Sequence, residues 1–290
     1  MTPETLPTIA FIGLGIMGGP MAGHLLAAGH TVHLHSRTRA KAAAQIEAGG
    51  IWHDDPSEAA SLADIIITMV GLPSDVEGLY LAPGGLLDRA RPNAVLIDMT
   101  TSTPSLAVRI AAEAEARGLR ALDAPVSGGP AGAQTARLSI MVGGNADAFD
   151  AVLPVLQRMG TNIVRQGGPG AGQHTKMSNQ IVIAGNMLGA AEGLAYATAA
   201  GLDPERVLQS IGTGAAASFL LNALGPRMLK GDFAPGFMIQ HFVKDMTIAR
   251  DESMTRGLDL KGLKVALEQY LMLVEKHLES EGTQALIKVY

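Results

Sequence analysis

Lys176 and Asn179 lie three residues apart in the segment Gly170-Ala171-Gly172-Gln173-His174-Thr175-Lys176-Met177-Ser178-Asn179. On a helix, that spacing turns both side chains the same way. Met177, Ile181 and Ala184 continue an apolar helix around them. An ammonium on a partly buried, glycine-flanked helix start is costly unless it is used. Burial beside a cationic group lowers a lysine pKa, which suits proton transfer. Asn179 could orient a substrate hydroxyl or the ammonium itself. An isolated surface lysine that snorkels to water would show the same letters. Upstream, Asp123-Ala124-Pro125-Val126-Ser127-Gly128-Gly129-Pro130 places a hydroxyl beside two bare backbone units. Ser127, Gly128 and Gly129 can form a nest for a carboxylate, or a plain Gly-Gly turn.

A second chemistry is written near the start. The apolar run Ile9–Ile12 leads into Gly13-Leu14-Gly15-Ile16-Met17-Gly18, and a helix-compatible stretch follows. This is the fingerprint of a dinucleotide-binding βαβ unit. The first glycine permits a tight turn, the second lets the backbone approach a pyrophosphate, and the third lets helix and strand pack closely. The helix N-terminus offers N–H groups and positive dipole to phosphates. The next strand ends at His35-Ser36-Arg37-Thr38, without the acid that holds an unphosphorylated ribose. Arg37, with the hydroxyls of Ser36 and Thr38, fits a 2′-phosphate. The expectation is therefore NADP(H) preferred, with NAD(H) possible. The plain reading is a surface Arg37 and an N-cap Thr38.

Two further loops follow strands: Val70-Gly71-Leu72-Pro73 and Met99-Thr100-Thr101. Ligands of open α/β sheets sit at such carboxyl ends, so both loops should border the cofactor. Lys244, in His241-Phe242-Val243-Lys244-Asp245, could reach cofactor or carboxylate, or form an ordinary helix ion pair. The eight histidines show no metal-ligand spacing, and His174 reads as structural. No metal site is expected.

These residues need elements to hold them. Strand-like runs at Ile9–Ile12, Thr31–His35, Ile65–Met69, Val95–Asp98, Arg120–Asp123 and Leu138–Val142 alternate with helical runs such as Thr38–Ala48 and Pro104–Arg117. A last strand is expected at Asn162–Arg165. Such alternation predicts an α/β parallel sheet wrapped by helices. Gln166-Gly167-Gly168-Pro169-Gly170 ends it, and from about Ala171 the pattern is helical, beginning with a long helix to about Ala200. The fold class is a Rossmann-type dinucleotide-binding domain, 1–165, followed by an all-α substrate and oligomerisation domain, 166–290.

Composition narrows the classes. The net charge of −5 carries no basic stripe, which argues against nucleic acid. The absence of cysteine excludes disulfides, thiolate nucleophiles and zinc–thiolate sites. Met1–Pro7 shows no signal-peptide pattern. The longest apolar stretch, Ile181–Gly201, carries Asn186, Glu192, Tyr196 and four glycines, which argues against a membrane span. A cytoplasmic protein is expected, and the apolar helical half predicts a homodimer or homotetramer.

In this order, FIGLGIMGGPMA, DAPVSGG with IMVGG downstream, GAGQHTKMSNQ and FVKDMTIA resemble the β-hydroxyacid dehydrogenase family across essentially the whole chain. That family includes 3-hydroxyisobutyrate dehydrogenases, tartronate semialdehyde reductases and glyoxylate/succinic semialdehyde reductases. The resemblance implies that Lys176 is the catalytic lysine and that Ser127, Gly128, Gly129 and Asn179 bind a small carboxylate substrate. It implies that Leu72, Pro73, Thr101 and Lys244 contact the cofactor. The segment around Lys176 looks most like tartronate semialdehyde reductases, whereas the Ser36-Arg37-Thr38 end looks more like NADP(H)-using glyoxylate and succinic semialdehyde reductases, and 3-hydroxyisobutyrate dehydrogenase is a further alternative. Three departures stand out: Ala136-Arg137 where Gly-Thr is usual, Gly257-Leu258-Asp259-Leu260 in place of Gln-Leu-Pro-Leu, and Phe219 where Trp is frequent. A non-catalytic dinucleotide-binding scaffold and an imine reductase are the rival classes. Lys176 in its intact motif speaks against both.

Overall fold

The computed structural model describes residues 6–290. Met1–Thr5, part of the segment read for a signal peptide, lie outside the described residues. The chain divides into two compact units, one ending at Lys176 and the other spanning Met177–Tyr290. The expected boundary lay near Gln166–Gly170. The first turn of the long helix packs with the first unit, because Gly170 and Gln173 donate hydrogen bonds to the strand-end residue Asp123.

The first unit is built on a sheet of nine strands among the described residues: β1 (Ile9–Ile12), β2 (Val32–His35), β3 (Ile51–Trp52), β4 (Ile65–Thr68), β5 (Val95–Asp98), β6 (Arg120–Asp123), β7 (Val126–Ser127), β8 (Leu138–Gly144) and β9 (Gly160–Gly167). Their order is β3-β2-β1-β4-β5-β6-β8-β7, with β9 beside β8. The helices are α1 (Gly18–Ala27), α2 (Ala43–Glu47), α3 (Pro56–Ser61), α4 (Pro73–Leu81), α5 (Leu86–Arg89), α6 (Pro104–Glu115), α7 (Gly129–Gln134) and α8 (Ala146–Leu156). The central strands are buried on both faces. Ile9 and Phe11 join one apolar cluster, and Ala10 and Ile12 join another. That is why these strands read as continuous apolar runs rather than alternating ones.

The expectation of a parallel sheet holds from β3 to β6 and fails beyond it. β8 runs antiparallel to β6 and β7, while β9 is parallel to β8. The Gly128–Arg137 connection is shorter than the roughly dozen residues that a parallel crossover takes. Ala136 in that connection has φ 53°, a left-handed conformation that glycine adopts freely and alanine does not. The departure from Gly-Thr therefore strains this turn. The helix expected over Thr38–Ala48 is a 3₁₀ turn at Arg39–Ala42 followed by the short α2.

The second unit is helical: α9, which begins at Ala171 and runs to Ala199, then α10 (Pro204–Ile211), α11 (Phe219–Leu229), α12 (Ile239–Thr255) and α13 (Lys261–Glu275), followed by a 3₁₀ segment at Thr283–Val289. Met187, Leu194, Phe242, Met246, Leu267 and Tyr270 are central to its core. Phe242 and Tyr270 meet edge to face, with ring centroids 5.1 Å apart. Among the described residues, no helix is long and apolar enough to cross a membrane.

The turn from β1 to α1 separates two kinds of glycine. A Cβ on Gly18 would be driven into the carbonyl oxygen of Gly13, whereas one on Gly15 would meet no protein atom within 4 Å. Gly18→Ala should therefore destabilise the protein by about 2 kcal/mol or more, since helix and turn must separate. Gly15→Ala should stay within about 0.5 kcal/mol of the parent. Urea unfolding of both variants checks the contrast.

Candidate active site

The site grows from the carboxyl ends of three neighbouring strands. Thr68, Asp98 and Asp123 are register partners on β4, β5 and β6. All three are buried polar residues at the ends of apolar strands. Asp98 Oδ1 accepts the Thr68 hydroxyl at 2.8 Å and the Thr100 N–H at 3.1 Å. The Thr100 hydroxyl in turn accepts the Val70 N–H at 3.0 Å. One carboxylate thus fixes the loops after both β4 and β5. Burial pushes the Asp98 carboxyl up to about 6, against hydrogen bonds from Thr68 and Thr100 that favour its charged form. The strand pattern contained a signal for this pair, an Asp closing each of two successive apolar strands. Its partners lie too far along the chain to be read from spacing.

Asp123 holds the start of α9. Its Oδ1 accepts the Gly170 N–H at 2.8 Å and its Oδ2 accepts the Gln173 N–H at 2.8 Å. Both are first-turn amides of the kind a helix leaves without an intrahelical partner, and a negative charge is favourable there. Burial raises the Asp123 carboxyl pKa, and these N–H groups oppose the rise. A Cβ on Gly172 would collide with the carbonyl oxygen of Met141, so this helix start lies directly against the sheet. Gln173, fully buried, adds a second hold through the backbone at Thr100 and Ser102.

Lys176 follows within the same turn. It is 7% exposed, and its Nζ donates to the Val126 carbonyl at 2.8 Å. The surface-lysine reading fails on that burial. Val126 immediately precedes Ser127-Gly128-Gly129, so the ammonium is brought to the segment read as a carboxylate nest. Ser127 pairs with Ser139 on β8. Gly128 and Gly129 have φ of 128° and 59°, a backbone path into α7 that other residues rarely take.

The glycine turn fits a dinucleotide. Gly13, with φ 102°, makes the tight turn against Met69, and Gly18 packs against Gly13. Neither φ nor packing demands glycine at position 15, and the open space there leaves room for the close approach of a phosphate. Leu14 is buried beneath the turn, and Ile16 is exposed with Met17 partly so. Arg37 is exposed at the end of β2, and its guanidinium lies 3.6 Å from Asp75 of α4. Asp75 also accepts the Leu72 N–H, which orders the loop that contains Leu72 and Pro73. Thr38 makes no side-chain cap bond to the 3₁₀ turn behind it, contrary to the plain N-cap reading. Ser36, after β2, and Thr101, after β5, are partly buried.

In the helical unit, Asn179 and Lys244 belong to one polar chain. Asn179 donates to Gln180 at 2.7 Å, and Gln180 donates to Asp245 at 2.6 Å. Asp245, 2% exposed, is paired with Lys244 Nζ at 3.1 Å. Sequence reading singled out the two ends and missed the buried carboxylate that joins them.

Comparison with known proteins agrees with this layout. Residues 8–168 match the NAD binding domain of 6-phosphogluconate dehydrogenase. Residues 170–290 match the family described as NAD-binding of NADP-dependent 3-hydroxyisobutyrate dehydrogenase. An uncharacterised oxidoreductase of Bacillus subtilis is 52% identical over 98% of each chain. A Pseudomonas aeruginosa NAD-dependent L-serine dehydrogenase is 34% identical over 92% of each. Among solved structures, the 3-hydroxyisobutyrate dehydrogenase of Mycobacterium tuberculosis with L-serine superposes with a TM-score of 0.89, at 31% identity and 98% coverage of both chains. With its glycine turn, strand-end loops and buried lysine in the expected order, the chain belongs to the 3-hydroxyisobutyrate dehydrogenase-like β-hydroxyacid dehydrogenases, a family of NAD(P)-dependent oxidoreductases.

Proposed function

We propose that this protein is an NADP(H)-preferring reductase of a small semialdehyde carboxylate, with the three-carbon tartronate semialdehyde as its substrate. The observation that carries the reading is the buried Lys176 ammonium on the Val126 carbonyl, beside Ser127-Gly128-Gly129. The bound cofactor supplies the hydride that adds to the carbonyl carbon. Lys176 gives a proton from Nζ to the carbonyl oxygen as negative charge develops there, so the aldehyde becomes a primary alcohol. Ser127 and the Gly128 and Gly129 backbone hold the substrate carboxylate, which orients the carbonyl. Asn179 holds the reacting oxygen. Gly13, Gly15 and Gly18, with Leu14, Ile16 and Met17, form the pyrophosphate turn. Leu72, Pro73, Thr101 and Lys244 complete the cofactor contacts.

Substrate size is supported by the segment around Lys176 and by a relative named for L-serine, itself a three-carbon β-hydroxy acid. NADP(H) preference is supported by Arg37 and by the lack of an acid at the end of β2. The Asp75 carboxylate beside Arg37 moderates that preference, because it opposes a 2′-phosphate.

Tartronate semialdehyde, succinic semialdehyde and propanal, compared at equal NADPH, test the substrate class. The acids should exceed propanal by about 10²-fold or more in kcat/KM, because an unheld carbonyl is misplaced. Propanal equal to either acid would refute the carboxylate nest, and succinic semialdehyde ahead by tenfold would refute the three-carbon assignment. Arg37→Ala should raise KM for NADPH about tenfold and leave NADH nearly unchanged. Equal efficiency of the parent with both cofactors would contradict the preference. Lys176→Ala should lower kcat roughly 10²–10⁴-fold with the cofactor still bound, and Lys176→Arg should not restore it, since arginine does not release its proton.

A further inference from the structure

Gln173 joins the helix that carries Lys176 to the loop that follows β5. Its side chain is completely buried and carries no charge. Oε1 accepts the Ser102 N–H at 3.0 Å, and Nε2 donates to the Thr100 carbonyl at 2.8 Å. The two partners flank Thr101, so one amide brackets that residue from both sides. Its own backbone N–H is held by Asp123. A primary amide offers a donor and an acceptor in one plane, which this bracket requires. Asparagine is a methylene too short, and an ionised glutamate has no donor.

Lys176 is three residues further along α9, and Nζ is itself fixed by the Val126 carbonyl. Thr101 and Lys176 are therefore two points of one buried, hydrogen-bonded connection that runs through Gln173. We propose that Gln173 is a positioning residue, which sets the placement of the Lys176 ammonium relative to the cofactor loop at Thr101. This rests on the reading of Lys176 as proton donor and of Thr101 as a cofactor contact. An error of about 1 Å between hydride and proton donors can cost 10²-fold in rate. A buried polar bracket resists such drift more than apolar packing does, because breaking it strands buried polar groups.

Two variants test the proposal in the full-length enzyme with NADPH and a semialdehyde substrate. Gln173→Met keeps length and volume and removes both side-chain bonds. Its kcat should fall about 10–100-fold, while the NADPH dissociation constant stays within fivefold. Gln173→Glu adds a protonation test. The neutral acid can still donate to Thr100 and accept from Ser102, whereas the ionised form turns an acceptor on the Thr100 carbonyl. Burial raises the pKa of such a group, as do the Asp98 and Asp123 carboxylates facing this segment from β5 and β6, while Lys176 on its own helix lowers it. Turnover of Gln173→Glu relative to the parent should be highest near pH 5–6 and at least tenfold lower by pH 9. A role in packing alone would leave that ratio flat.

A folded Gln173→Met protein with kcat within twofold of the parent would overturn the proposal, and so would a flat Gln173→Glu ratio. If Gln173→Met does not fold, the Gln173→Glu profile decides. Lys176→Ala separates the two levels of the argument. An inactive Lys176→Ala beside parent-like Gln173 variants overturns this inference alone, and a fully active Lys176→Ala overturns the reading beneath it as well.

Discussion

The Asp123 carboxylate on the Gly170 and Gln173 amides is the interaction on which the rest of the candidate site depends. A helix start buried against a sheet must have its free N–H groups answered, or it is not stable there. A carboxylate answers two of them and meets the positive end of the helix dipole. Because Asp123 ends β6, the start of the helix inherits its position from the sheet. Lys176 then falls within reach of Val126, only three residues beyond Asp123. The same short segment holds the helix by a carboxylate and the ammonium by a carbonyl.

Around this anchor the strand ends share one polar network. Asp98 ties β4 and β5 together through Thr68 and Thr100, and Gln173 connects Thr100 and Ser102 to the helix. Buried networks of this kind are worthwhile only when their members are satisfied, and they then specify a single arrangement. The loops that border the glycine turn and the lysine are therefore tied together by one set of hydrogen bonds. The helical unit also holds a buried carboxylate, Asp245, between Gln180 and Lys244.

Much of this was legible in the amino-acid order, and the losses have physical reasons. The apolar strands were readable because burial on both sheet faces marks them directly, and the extent of α9 because an Ala- and Gly-rich run lies between the breaks at Gln166–Gly170 and Gly201-Leu202-Asp203-Pro204. β3 and β7 are two residues each, too short to leave a period. The reversal of β8 was hidden because inward and outward alternation is the same in either direction. Lys176, Ser127 and the glycine turn stood out because their neighbours are contiguous. Asp98, Asp123, Gln173 and Asp245 did not, because their partners are brought together only by the fold. Ala136-Arg137 departs from the usual Gly-Thr, but the left-handed backbone of Ala136 is a property of the β7–β8 connection that no single letter reveals.

Amide hydrogen exchange at Gly170 and Gln173 measures the anchor directly. If Asp123 fixes the start of α9 as one block with the sheet, both amides should exchange only through global unfolding, as slowly as the central β4 and β5 amides. First-turn helix amides without such a partner exchange by local opening. Exchange at those fast local rates, in folded protein under the same conditions, would contradict the account.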